Sequence, residues 1–172
     1  MRRLLVAAAV VSTAAIAHAQ ADPQSAPYRY RAAIVALLQL KPGMTAAEVN
    51  PTPGIVAPEL LRVVTASGRA ITAALNVKTG GTNLEPGSAD AVALVSALTA
   101  TDQYKPLFDG LAGAVKSGGV LLVVDVPQEN DGKKAVGLEA EDVVKLATAA
   151  GFKREAESGI VPGHYAIRFR KQ

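Results

Sequence analysis

The 172-residue chain contains no cysteine and no tryptophan, and aromatic residues make up only 4% of it. Without thiols, disulfides, thiolate metal sites and a cysteine nucleophile are all excluded. So few aromatics leave no stacking platform for single-stranded nucleic acid, and no basic stripe is present to replace it, so a nucleic-acid partner is not expected. Histidine is scarce as well. His18 lies near the N-terminus and His164 stands alone in the body of the chain, which excludes a His-rich zinc site within one chain. No Gly-x-Ser-x-Gly elbow, phosphate-binding loop or zinc signature occurs. No apolar run reaches the roughly 20 residues that a membrane-spanning helix needs, so no membrane insertion is expected of the mature protein.

What is present begins with Met1, Arg2 and Arg3, followed by the apolar run LLVAAAVVSTAAI over residues 4–16 and the small-residue site Ala17-His18-Ala19. This order of charged, apolar and small residues is that of a cleavable secretory signal peptide. Cleavage after Ala19 predicts a periplasmic or secreted protein of 153 residues, the size of one domain with one core. Removing Arg2 and Arg3 from the 18 Lys and Arg leaves 16 against 15 Asp and Glu, a net charge of only +1. Residues 20–27 are polar, contain Pro23 and Pro27, and read as a flexible leader.

From residue 28 the hydrophobic period carries the argument. Residues 28–40 predict a helix of about three turns, with Ala32, Val35, Ala36 and Leu38 or Gln39 near helical spacing and Pro42-Gly43 ending it. Residues 45–49 predict a short strand. Residues 55–64 predict a helix with Ile55, Val56, Leu60 and Val63 inward, Pro58 being tolerated in its first turn. Residues 69–75 predict a second strand, and 77–88 a loop without apolar period. The Val- and Leu-rich runs 89–96 and 120–126 read as buried parallel strands. Between them, 104–116 predicts a helix ended by Ser117-Gly118-Gly119. A helix over 139–150 and antiparallel strands over 152–158 and 164–170, turning at Val161-Pro162-Gly163, complete the chain. Arg168, Arg170 and Lys171 alternate as on the wet side of an edge strand. Strands alternating with helices imply a largely parallel α/β sheet.

These pieces, in this order, resemble the class I S-adenosylmethionine-dependent methyltransferases. LKPGMTAAEVNPTPGIVAPELLRVVTASGRAITAAL (40–75) is similar to their first strand, cofactor loop, helix and second strand. SADAVALVSAL (88–98) is similar to their fourth strand, and LFDGLAGAVKSGGVLLVVDV (107–126) to the helix, Gly-Gly turn and fifth strand. EDVVKLATAAGF (141–152) resembles the helix and Gly-Phe entry to the last hairpin. Within that fold the chain is most similar to exported predicted methyltransferases of bacteria, whose cofactor loop often has Pro where Pro51 stands. The resemblance implies a Rossmann-like methyltransferase sheet over residues 28–172, S-adenosylmethionine as cofactor, and a second strand at one edge beside the first, followed by the two Val-rich strands and the hairpin.

The same resemblance assigns cofactor-binding positions to Glu48, Asn50, Thr52, Gly54 and Asn76, and here the chain departs from the pattern. An acid-x-Gly-x-Gly-x-Gly loop uses its glycines for a tight turn, a close backbone approach to the ligand and helix packing. Only Gly54 keeps that residue type. Thr52 adds a Cβ, and Pro51 and Pro53 lack backbone N–H groups. The carboxylate that would hold the ribose hydroxyls is replaced by Ala74 or Asn76, which offers a neutral and weaker bond. The helix and third strand that help enclose adenine in the family are reduced to residues 77–88, shortening the sheet.

Ligands of open α/β sheets sit beyond the carboxyl ends of the strands. Asp102 and Asp125 are the acids to consider there as a base, with Asp125 equally suited to fastening a loop; no catalytic residue is assigned. Family members tend to carry His at the ends of the fourth and fifth strands, where this chain has none. Glu129, Asn130, Asp131 and Gly132 lack EF-hand spacing and read as a solvated turn, so no metal site is expected. His164 reads as a hairpin residue far from the strand ends. Two functions follow: an exported methyltransferase with a degenerate cofactor motif, or a non-catalytic relative that binds another small molecule or a protein.

Overall fold

Continuous runs of Val, Ala and Leu form the centre of a six-stranded sheet, and amphipathic helices cover its two faces. The computed structural model describes residues 22–52, 54–128 and 137–172. The residues expected to form a signal peptide, Pro53 and the residues 129–132 expected to form a turn lie outside them. In chain order the elements are α1 (Ala26–Arg29), α2 (Arg31–Leu37), β1 (Thr45–Asn50), α3 (Ala57–Val64), β2 (Arg69–Ala74), β3 (Ala89–Val95), α4 (Tyr104–Ala114), β4 (Val115–Asp125), α5 (Ala140–Ala149), β5 (Phe152–Ser158) and β6 (Tyr165–Lys171). Among the described residues no helix is long and apolar enough to cross a membrane.

The sheet order is β2-β1-β3-β4-β6-β5, with β1 to β4 parallel and β6 antiparallel to both β4 and β5. This is the mixed α/β sheet with a C-terminal hairpin that the pattern predicts, with β2 at an edge. Alternate residues feed two cores. Ala47, Val49, Leu94, Leu121 and Val123 pack under α4 and α5 with Leu107, Phe108, Val143 and Phe169. Ala46, Ala93, Val95, Leu122 and Val124 pack under α2 and α3 with Ile34, Leu38, Leu60 and Val64. Leu84, in the connection after β2, joins the first of these cores, so that connection crosses the sheet on the side of α4.

Several expectations need correction. The helix expected over 28–40 is divided into α1 and α2, and Ala26 and Pro27 of the expected leader belong to α1 and its packing. Of the residues expected inward, Val35 and Leu38 are buried, together with Ile34, while Ala32 and Ala36 are exposed, because the larger side chains supply the apolar area that drives docking. The helix expected to reach Lys116 ends at Ala114, and Val115 already pairs with β3. Ala89 pairs with Val115 but Ala91 with Val120, so Ser117-Gly118-Gly119 is a bulge inside a long strand, not a turn before a short one. Gly118 has φ +73°, and a Cβ on Gly119 would lie 2.8 Å from the Asp90 carbonyl oxygen. Finally, β6 is not an edge strand. Arg168 and Arg170 sit between β4 and β5 and pair with Glu155, and the edge is β5 with its exposed Lys153, Arg154, Glu155 and Glu157.

Candidate functional site

The parallel strands end together on one side, where the order reverses about β1: β2 lies to one side of it and β3 to the other. A crevice at such a reversal is where ligands of open α/β sheets bind. Glu48 and Asn50 point from the end of β1 towards the α3 face, in phase with the core residue Ala46.

Glu48 is fully buried, and its carboxylate faces the start of α3. Oε1 accepts from the N–H groups of Gly54 at 3.2 Å and Ile55 at 2.8 Å. Oε2 accepts from Val56 at 3.2 Å and Ala57 at 2.7 Å. A helix N-terminus presents unpaired donors and a positive dipole end, so a carboxylate belongs there. Here the chain supplies it itself. Burial pushes the Glu48 carboxyl above the ordinary carboxylate range, against the downward pull of the four N–H donors. Gly54 has φ +110°, a conformation that favours glycine, and a Cβ there would meet no atom within 4 Å.

Asn50, 1% exposed, spans the crevice. Its Nδ2 donates to the carbonyl of Val95 at the end of β3 (2.6 Å), and its Oδ1 accepts from the N–H of Thr52 (2.6 Å). The side chain therefore laces β1 to β3 at the reversal point and fixes the first turn of the loop. Thr52 is half-buried beside it. The ends of β1 and β2 are joined by the Leu75 N–H to the Asn50 carbonyl at 3.2 Å, which brings Asn76 to the neighbouring strand end. Asn76 is exposed. Its side chain accepts from the Lys78 N–H at 3.1 Å, and its backbone closes a turn with Thr79, Gly80 and Gly81.

Asp125 ends β4 at 1% exposure. Its Oδ2 accepts from Ala97 (2.7 Å) and Leu98 (2.8 Å), and its Oδ1 from Val126 (2.9 Å). It fastens the loop that follows the adjacent strand. Burial raises its carboxyl pKa, opposed by those donors and by the nearby His164. Asp102 is exposed and accepts from the Gln103 side chain at 2.8 Å.

His164 corrects the sequence reading. Because β6 runs antiparallel, its beginning lies at the carboxyl end of β4, where Tyr165 pairs with Asp125. His164 thus stands at the carboxyl edge of the parallel strands, its Nδ1 2.8 Å from the Pro162 carbonyl. A cavity of about 370 Å³ opens there, lined by Pro127, Glu139, Ser158, Val161, His164 and Tyr165. The Tyr165 hydroxyl donates to Leu138 (3.1 Å) and that of Tyr104 to Gly137 (3.3 Å), and burial raises both phenols. The signal that could have placed His164 was the hairpin itself, since an antiparallel return carries its start to that edge. Among the described residues no cluster of three metal-ligating side chains occurs.

No protein-family profile matches the chain, and no curated protein does. Solved structures do. A SAM-dependent methyltransferase from Aquifex aeolicus superposes with a TM-score of 0.70 at 14% identity, covering 89% of this chain and 100% of that one. Geranyl diphosphate C-methyltransferase from Streptomyces coelicolor superposes with a TM-score of 0.64 at 9% identity, over 84% of this chain and 79% of the other. The cyclase SpnF gives 0.64 at 14% identity, over 84% and 80%. At these identities the likeness establishes the fold: the chain has the class I fold of S-adenosylmethionine-dependent methyltransferases.

Proposed function

We propose that this chain is an exported methyltransferase-fold protein that no longer uses S-adenosylmethionine and acts by binding another small molecule or a protein. The observation that carries the reading is the Asn50 bridge to Val95, which places a side chain across the crevice between β1 and β3. The other residues at the cofactor positions point the same way. The amides of residues 54–57 are engaged by Glu48, Asn76 is exposed and engaged in its own turn, and β2 has no strand outside it among the described residues. A carboxylate, an amine and a ribose would each find its complementary group already paired, and a buried polar group without a partner is costly. That SpnF is a cyclase supports the idea that this fold serves chemistry other than methyl transfer. Export rests on the Arg pair, apolar run and Ala17-His18-Ala19 site at the N-terminus.

The test is a thermal melt with S-adenosylmethionine or S-adenosylhomocysteine at millimolar concentration. A ligand at a hundredfold excess over Kd stabilises the native state by about 2.7 kcal/mol, and each kcal/mol moves the midpoint by roughly 2–8 °C. The expected shift is zero for both compounds. A saturable shift that disappears in Gly54→Trp would return the chain to the working methyltransferases. Export is checked separately by mass spectrometry of the protein recovered from outside the cytoplasm, which should begin at Gln20.

A further inference from the structure

The opposite edge of the sheet, where the parallel strands begin, carries a second cavity of about 280 Å³. One water needs only about 15 Å³ of such space, so a small organic molecule fits. Its wall is made by the β4 bulge at residues 117–119, the start of β3 at Asp90, the loop before β1 with Lys41, and the far end of β6 with Arg168 and Arg170. Four cationic side chains, Lys41, Lys116, Arg168 and Arg170, face one lining carboxylate, Asp90. Asp90 is committed on both oxygens, to the Lys116 ammonium at 2.7 Å and to the Thr45 N–H at 2.8 Å. A single further carboxylate, Glu155, is shared between Arg170 at 2.8 Å and Arg168 at 3.3 Å. Lys41 makes no ion pair among the described residues. The Nε of Arg168 is buried and has no hydrogen-bond partner.

We infer that this cavity is a binding site for a small ligand bearing a phosphoryl group, independent of the crevice at the other edge. Cations exceed acids around it, so an anion is drawn in. Arg170 is held by Glu155 through Nε and Nη2 and by the Gly118 carbonyl through Nη1, which fixes its charge beside Arg168 on the same face of the strand; the Arg168 guanidinium offers the planar fork that matches phosphate oxygens, and Lys41 and Lys116 add point charges. The bulge keeps the floor open: glycine is required at position 119, where a Cβ would come within 2.7 Å of a Val115 methyl. An oxygen entering beside Arg168 gives its unpaired N–H an acceptor after a small rotation of the guanidinium.

The experiment is isothermal titration of the full mature protein with inorganic phosphate, at ionic strength matched with chloride, alongside co-flotation with phosphatidylglycerol and phosphatidylcholine vesicles. Saturable phosphate binding is expected, weakened about tenfold or more by Lys41→Glu and by Arg168→Gln. Lys41 is exposed, so its variant keeps the test sound if Arg168→Gln fails to fold. Co-flotation with phosphatidylglycerol alone, lost in Lys41→Glu, would assign the phosphoryl group to a lipid headgroup; phosphate binding alone assigns it to a soluble ligand. Absence of saturable binding to either probe, or binding unchanged in both variants, would overturn the site.

Discussion

Glu48 shows how one buried side chain sets both local structure and pH response. Replacing it by Ala leaves the N–H groups of residues 54–57 without their acceptor, and hydrogen bonds to charged groups are worth about 1.5–3 kcal/mol each. Glu48→Ala should lose about 3 kcal/mol or more, read as a lower urea midpoint at unchanged m-value. Titration offers a sharper test. Burial raises the Glu48 pKa in the folded state, so folding takes up a proton there. Its favourable contribution is complete below the unfolded value of about 4.3 and is lost as pH rises through the folded value. The stability of wild type relative to the non-titrating Glu48→Gln should therefore fall as pH rises above about 4.3; a relative stability that rises with pH contradicts the assignment. Asn50→Ala, which frees the Val95 carbonyl and the Thr52 N–H, should cost about 1–3 kcal/mol in the same assay.

Among the elements, glycines test the β4 bulge against the helix before it. Gly119→Ala sets a Cβ 2.7 Å from Val115 and 2.8 Å from the Asp90 carbonyl, so about 1–3 kcal/mol should be lost. Gly110→Ala, inside α4 with no atom within 4 Å of the new Cβ, should gain about 0.5–1 kcal/mol. Melting midpoints moving in opposite directions confirm the pair, and equal shifts refute it. The strand and helix order was legible because the unbroken apolar runs 91–95 and 120–124 mark buried strands and the 3.6 period of Leu107, Phe108 and Leu111 marks a helix. The helix-to-strand change at Val115 was not, because Lys116 to Gly119 carry no period and only the pairing of Val115 with Ala89 and of Val120 with Ala91 decides them. Likewise the loss of glycine at Asn50 and Thr52 could be read from the sequence, whereas the bond from Asn50 to Val95 joins positions 45 residues apart. His164 was misplaced for a related reason: its distance in sequence from the strand ends concealed the antiparallel return that brings it there.

For the whole molecule, the two margins of the sheet are unequal. β5 carries Lys153, Arg154, Glu155 and Glu157 along its exposed length, which discourages pairing with another chain, but β2 carries only Arg69. Heat or mild denaturant should therefore lead to association through β2. Thr72→Lys, at an exposed position, should delay light scattering on heating while changing stability by no more than about 0.5 kcal/mol. An unaltered scattering onset would place the weak point elsewhere.

The carboxylate of Glu48 at the start of α3 has a thermodynamic consequence for how the protein is produced. A loop stabilised by a dissociable anion inherits that solute's concentration, and its folding equilibrium shifts whenever supply falls. Glu48 is a tethered occupant whose effective concentration is fixed by the covalent chain. The start of α3 thus closes at the same free energy in a crowded cell or in dilute surroundings, and the polypeptide matures without waiting for a metabolite to accompany it.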